Sequence, residues 1–248
     1  MFTLRLACQR AHKPTQKPTQ KRTLHHALAS AFAAGSALIA ALPAYADPVS
    51  WAAWSAVTTG ATTGAATATF AAAGVTATYS GELEQFFAGY PSYTPGGTFS
   101  GGSVGNAPPA ANGIIQIYGG QGTGTNTITF SQAVLNPVIA IWSLGQGGNI
   151  AQFNFDHAFT IESGGASAEY GGAAIYSVGN VAFGQEGNGT VRFSGSVNSI
   201  SWTNPVAENW YGFTVGASVN AVPELETYAL MLGGLAALAL VARRRQGA

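Results

Sequence analysis

Between residues 47 and 222 apolar and polar side chains exchange places at every second position over short runs, the two-residue period of a half-buried strand. Ile128 and Phe130 oppose Thr127 and Thr129, Val191 and Phe193 oppose Arg192, and Ile200 and Trp202 oppose Ser199 and Ser201. Tyr211, Phe213 and Val215 oppose Gly212 and Thr214 in the same way. This pattern predicts strands over 67–70, 75–79, 114–118, 127–130, 138–144, 150–155, 159–162, 173–178, 190–194, 199–203 and 211–215. The run 138–144 is apolar on both faces and reads as a central strand, opened by Pro137 where a missing ladder donor is tolerated. No stretch sustains a 3.6-residue period, so no helices are available for parallel crossovers. Many short strands separated by Gly, Asn and Pro predict an all-β fold, an antiparallel β-sandwich of jelly-roll-like form.

Two stretches of this body depart from the alternation. Residues 51–74 are rich in Ala, Thr and Gly and carry no charge, which reads as an edge strand with loops. Residues 86–112 hold Pro91, Pro95, Pro108 and Pro109 and read as a long irregular excursion over the surface.

The pattern changes altogether at both ends. Residues 1–46 place six basic residues up to Arg22 ahead of a 16-residue apolar stretch at 27–42, ended by Pro43. Ala44 and Ala46 supply the small −3 and −1 residues that signal peptidase accepts. The segment is therefore expected to be a signal peptide, taken up by the Sec translocon and cut between Ala46 and Asp47. It is shorter than the ~20 apolar residues a membrane span requires. At the other end an apolar run from Tyr228 to Ala242 precedes Arg243, Arg244 and Arg245. As a helix it would be roughly 23 Å long, a C-terminal transmembrane helix with snorkelling flanks. The arginines set its C-terminus on the cytoplasmic side. The expected domains are thus 1–46, 47–222 and 223–248.

Charge narrows the function further. The chain has ten basic and ten acidic residues, but the segment 47–222 contains eight acids and one base, Arg192, a net charge of −7. Such a body cannot neutralise phosphates, which excludes nucleic acid as a partner. Cys8 is the only cysteine and leaves with the signal peptide, so a disulfide scaffold is excluded.

The order of a Pro-Glu motif at Pro223 and Glu224, an apolar helix and an arginine cluster resembles the PEP-CTERM sorting signal over about 24 residues, VPELETYALMLGGLAALALVARRR. Leu225 stands where that family has its second proline. The resemblance implies an exosortase-type sorting protease that cuts near Pro223 and Glu224. It also implies an inner-membrane precursor held by Arg243, Arg244 and Arg245. The destination it implies is the cell surface or extracellular matrix of a Gram-negative bacterium, in association with exopolysaccharide or biofilm. The stretches 79–82, 105–113, 139–145 and 201–216 are similar to an uncharacterised group of exported domains with the same tail, which brings a β-sandwich and no activity.

Candidate chemistry is sparse. Gly101-Gly102-Ser103-Val104-Gly105 fits Gly-x-Ser-x-Gly, but Asn106-Ala107-Pro108-Pro109 cannot open the helix that a nucleophile elbow needs. His157 is the only histidine of the body and reads as a solvated turn residue. One histidine and no cysteine make a poor zinc site, and no Asp-rich loop gathers Asp156, Glu162, Glu169 or Glu186 around calcium. Neither a metal nor another cofactor is expected, and no catalytic residue is assigned. Glu82 and Glu84, two apart, would share one face of a strand. With Glu169 they leave a carboxylate-dependent glycan hydrolase as one alternative. The other alternative is a carbohydrate-binding module. Trp51, Trp54, Phe86, Phe87, Tyr90 and Tyr93 fall in irregular or edge segments. Of these, Trp54, Tyr90 and Tyr93 are candidates to stack on sugar rings, or else they cap the end of the sandwich. The leading expectation is a non-enzymatic exported protein.

Overall fold

A computed structural model describes residues 46–120 and 124–218, and in the tail residues 232–235, 238 and 243. The chain divides into Met1–Ala44 and Tyr45–Ala248, and all described residues belong to the second unit. Its strands are β1 (Val49–Trp51), β2 (Ala53–Thr58), β3 (Gly60–Phe70), β4 (Val75–Leu83), β5 (Gln85–Phe87), β6 (Ile114–Ile117), β7 (Thr125–Leu135) and β8 (Val138–Leu144). They continue as β9 (Ala151–Phe155), β10 (Phe159–Gly164), β11 (Ala173–Ala174), β12 (Tyr176–Val178), β13 (Val181–Gly184), β14 (Gly187–Phe193), β15 (Ser196–Thr203) and β16 (Tyr211–Ser218). A single helical turn, α1 (Gly96–Phe99), lies between β5 and β6.

These strands form two sheets packed face to face as a β-sandwich. The first runs β10-β14-β8-β16-β6-β5, with β1 also on β16 and β11 on β14; the second runs β12-β13-β9-β15-β7-β4-β3-β2. Pairing is antiparallel except for the two-residue contact of β11 with β14. Between the sheets lies an aromatic core. Tyr79 stacks on Trp202 at 6.1 Å, Trp202 meets Phe213 edge-on at 5.0 Å, and Phe153 packs on Trp202 at 5.8 Å. All four rings are essentially inaccessible.

A second core lies on the opposite face of the first sheet. The excursion after β5 folds back and covers it with Tyr93, Phe99 and Val104, which meet Val138, Ala140 and Trp142. The strand β8 thus lies between β14 and β16 with an apolar layer on either side, which is why all seven of its residues are buried. Loop residues take the role a third layer would have.

Among the described residues no layer covers the outer face of the second sheet. Ser55, Thr67, Thr78, Thr129 and Ser199 stand in register across β2, β3, β4, β7 and β15. Ser80, Thr127 and Ser201 form a parallel row. Hydroxyls pair across strands within these rows, Ser55 with Thr67 at 3.0 Å and Thr127 with Ser201 at 3.0 Å.

The expectation of an edge strand with loops over 51–74 is corrected. β2 is indeed an edge strand, but 60–70 is one continuous strand, and Trp51 belongs to β1 in the other sheet. Ala66 and Ala68 face inward beneath the bulky rings of Trp54 and Tyr79, which meet edge-on at 6.3 Å. Alanine suffices where the facing side chains are large, so the inner face lacks the bulk that marks a strand by sequence. The single strand expected over 173–178 is two, divided at buried Ile175 between the two sheets.

Asp47 is tied into the sandwich by a bridge to Val104, donating its N–H to Ser103 O at 2.9 Å and accepting from Gly105 N–H at 2.8 Å. In the tail Leu232, Gly233, Gly234, Leu235, Leu238 and Arg243 are helical, and Leu232, Leu235 and Leu238 are exposed. Among the described residues no helix is long and apolar enough to cross a membrane. Most of the expected membrane helix at 228–242 lies outside those residues, as do Ala44, Pro223, Glu224, Arg244 and Arg245.

Candidate functional site

The site begins with a bulge. Between the pairs Gly187–Leu144 and Gly189–Ile141, β8 has one residue more than β14, and Ser143 absorbs it at φ +56°. The shift turns Leu144 into the core between the sheets and anchors Ser143. Its N–H donates to Asn188 Oδ1 at 2.8 Å, and its hydroxyl donates to Glu186 Oε2 at 2.7 Å. Glu186 itself has φ +53°, in the turn from β13 to β14. The loop from β15 to β16 contributes Glu208, whose Oε1 accepts the Gly145 N–H at 3.1 Å. The loop from β10 to β11 is closed by Ser167 N–H on Gly171 O at 2.7 Å and carries Tyr170, 45% exposed.

Ser143, Gly145, Gln146, Tyr170, Glu186, Glu208, Asn209 and Trp210 line a cleft of about 120 Å³. Trp142 braces its aromatic wall from behind, 4.4 Å from Trp210 and 5.2 Å from Tyr170. Tyr170 and Trp210 meet edge-on at 5.8 Å, and Phe87 lies against Trp210 at 5.6 Å.

The surroundings of the cleft act on the Glu208 carboxyl. Burial pushes Glu208 up to about 8, the Glu186 charge adds to the rise, and the Gly145 N–H works against it. At neutral pH Glu208 therefore retains its proton. Because the folded state holds a proton that the unfolded chain releases near pH 4, stability falls as pH rises from about 4 to about 8, and then levels off for this group. Glu208→Gln removes that slope. The variant is expected to match the parent at pH 4 and to exceed it at pH 9 by about 1–2 kcal/mol, a value discounted for partial exposure. Thermal melts at the two pH values check this. A difference that is equal at both pH values would show that Glu208 does not titrate in this way.

The sugar-stacking candidates from the sequence do not converge. Trp54 lies between the sheets, 7% exposed, with Nε1 donating to Thr214 Oγ1 at 3.0 Å. Tyr93 is 4% exposed and packs edge-on against Phe99 in the outer core. Neither has a ring face on the surface. Tyr90 alone stands by the cleft, packed on Trp142 and Phe87, with its hydroxyl donating to Glu169 Oε1.

Glu82 and Glu84 do not share a strand face. β4 ends at Leu83, and Gly81, at φ +150°, turns Glu82 into the interior. There Glu82 accepts the N–H groups of Tyr118 at 2.7 Å and Gly119 at 3.0 Å. Burial pushes this carboxyl up despite those amide bonds. Ser103 sits in a turn closed by mutual Gly101–Val104 backbone bonds, with neither a strand before it nor a helix after it, and its N–H donates to Glu162 Oε2 at 2.7 Å. Burial raises Glu162, but that amide, the Thr160 hydroxyl and Arg192 at 3.7 Å outweigh it and hold the carboxyl below its ordinary value. His157 is exposed, its Nδ1 2.6 Å from Asp156, at the corner where the chain passes from the second sheet to the first. Among the described residues no three His, Cys, Asp or Glu gather to hold a metal ion.

Of the cleft residues the sequence brings up Glu186 alone, as one acid of a weak calcium set, and does not join it to the others. Their signals were there in Glu208-Asn209-Trp210, an acid beside a ring in a loop between two strands, and in Glu186 within a glycine-flanked turn. The fold and site together define a two-sheet β-sandwich with an aromatic-walled, carboxylate-bearing cleft beside the end of its central strand. No protein-family model, curated protein or solved structure matches the chain.

Proposed function

We propose that the chain is an exported, non-catalytic protein of the cell surface or extracellular matrix of a Gram-negative bacterium, associated with exopolysaccharide. Its signal peptide is taken up by the Sec translocon and removed by signal peptidase. The C-terminal tail then holds the precursor in the inner membrane until an exosortase-type protease cuts near Pro223 and Glu224. The observation that carries this reading is the tripartite tail in the sequence, ending in Arg243, Arg244 and Arg245. The extent of the sandwich supports it: among the described residues both cores run from Val49 to Ala217, within the body that would remain after both cuts. The body itself reads as jelly-roll-like. The order β6-β16-β8-β14 facing β7-β15-β9-β13 supports this finer description, with β2 to β5 as additions at the sheet edges.

Deleting residues 223–248 is expected to move the body from the membrane fraction to the soluble periplasm. In a producer lacking the sorting protease, the full chain is expected to stay longer and membrane-bound. Identical mass and location with and without the protease would overturn the reading. Hydrolysis by Glu82 is disfavoured because backbone amides engage both its oxygens.

A further inference from the structure

We propose that the cleft between Tyr170, Trp210, Glu186 and Glu208 binds one sugar unit of an uncharged polysaccharide. The wall offers two rings at right angles, Tyr170 and Trp210, with an interplanar angle of 89°. Both rest on buried Trp142, so little side-chain freedom remains to be lost on binding. The rest of the lining is polar: two carboxyls, the Ser143 hydroxyl and the amides of Gln146 and Asn209. A pyranose has the matching anatomy, apolar C–H surface on its faces and hydroxyls around its rim. Those hydroxyls both donate and accept, and the cleft holds both kinds of partner, since protonated Glu208 donates where the other lining oxygens accept.

Size and charge narrow the occupant. A cleft of about 120 Å³ is well below the ~300–1,000 Å³ of pockets that enclose drug-sized ligands. It suits a single ring whose neighbours run along the surface past Phe87 and Tyr90. Acidic sugars are disfavoured because no cation lines the cleft, and Arg192, the one base of the body, faces Glu162. A hard cation is a poor alternative, since two carboxyls fall short of the six to eight oxygens calcium takes. This inference concerns the body alone and holds wherever the chain is delivered.

The test titrates the full chain, purified in detergent, with a neutral glucan, a neutral galactomannan, a polyuronate and a chitosan, following tryptophan fluorescence. Saturable binding to at least one neutral polymer and none to the polyuronate is expected. Tyr170→Ala is expected to weaken it about tenfold, and Glu186→Gln several-fold, with melting midpoints that show both variants folded. If Tyr170→Ala does not fold, exposed Asn209→Ala takes its place, with the same direction expected. Flat titrations with both neutral polymers, equal affinity for the polyuronate, binding confined to chitosan, or undiminished binding by the folded variants would each overturn the proposal.

Discussion

The Trp142→Ala protein melts about 6–20 °C below its parent. Trp142 is fully buried and is the hub of the outer core, with ring contacts to Tyr90, Tyr170 and Trp210. Removing so large a side chain from a packed site costs about 3–5 kcal/mol, and a domain of this size loses about 2–4 °C for each. The damage should be one-sided. The rings between the sheets do not touch Trp142, so the inter-sheet core survives while the cleft loses its brace. Calorimetry gives the first quantity. The near-ultraviolet circular dichroism of Trp142→Ala and of a second variant, Trp202→Phe in the inter-sheet core, each compared with the parent, separates the two cores. A loss below about 1 kcal/mol would mean that the excursion after β5 is not packed onto β8 as described.

Gly145→Ala is expected to cost about 2–5 kcal/mol. Gly145 has φ +76°, and an added Cβ would lie 2.2 Å from the Gly184 carbonyl oxygen and 2.8 Å from that of Asn149. Both obstacles are backbone, so neither can swing aside. The left-handed conformation accounts for about 1–2 kcal/mol, and forced displacement of packed backbone for about 1–3 kcal/mol more. Gly148→Ala is the control. It has a similar φ, +84°, with nothing within 4 Å of the added carbon, so only the conformational cost applies. Denaturant unfolding of the two variants compares them directly, and equal losses would refute the clash.

How legible the fold was depended on side-chain bulk. Strand β8 was readable to the residue because apolar side chains on both faces admit only a central position. Only the last four residues of β3, 67–70, were legible as a strand; its first part was hidden because the inner face there is glycine and alanine, and its role emerges only once Trp54 and Tyr79 are seen above it. Glu82 was misplaced for a different reason. Simple alternation carries it outward with Ser80, but Gly81 breaks the phase, and an added Cβ there would lie 2.3 Å from Asn126 Oδ1. The cleft was least legible of all. Ser143, Tyr170, Glu186 and Glu208 come from four separate segments, and they meet through a one-residue bulge and loops whose paths depend on tertiary contacts.

The hydroxyl rows across β2, β3, β4, β7 and β15 have a consequence for the medium in which the protein works. No acid or base stands in the rows themselves, and the nearest charge is Asp156, which accepts the Ser201 N–H at 3.0 Å at one end; at physiological ionic strength screening acts over about 8 Å. Whatever lies along the rows meets neutral donors and acceptors, which salt weakens far less than it weakens ion pairs. The acids of the cleft belong to other strands and loops, so dilution or salting would alter the molecule's dealings with its surroundings more there than along the threonine rows.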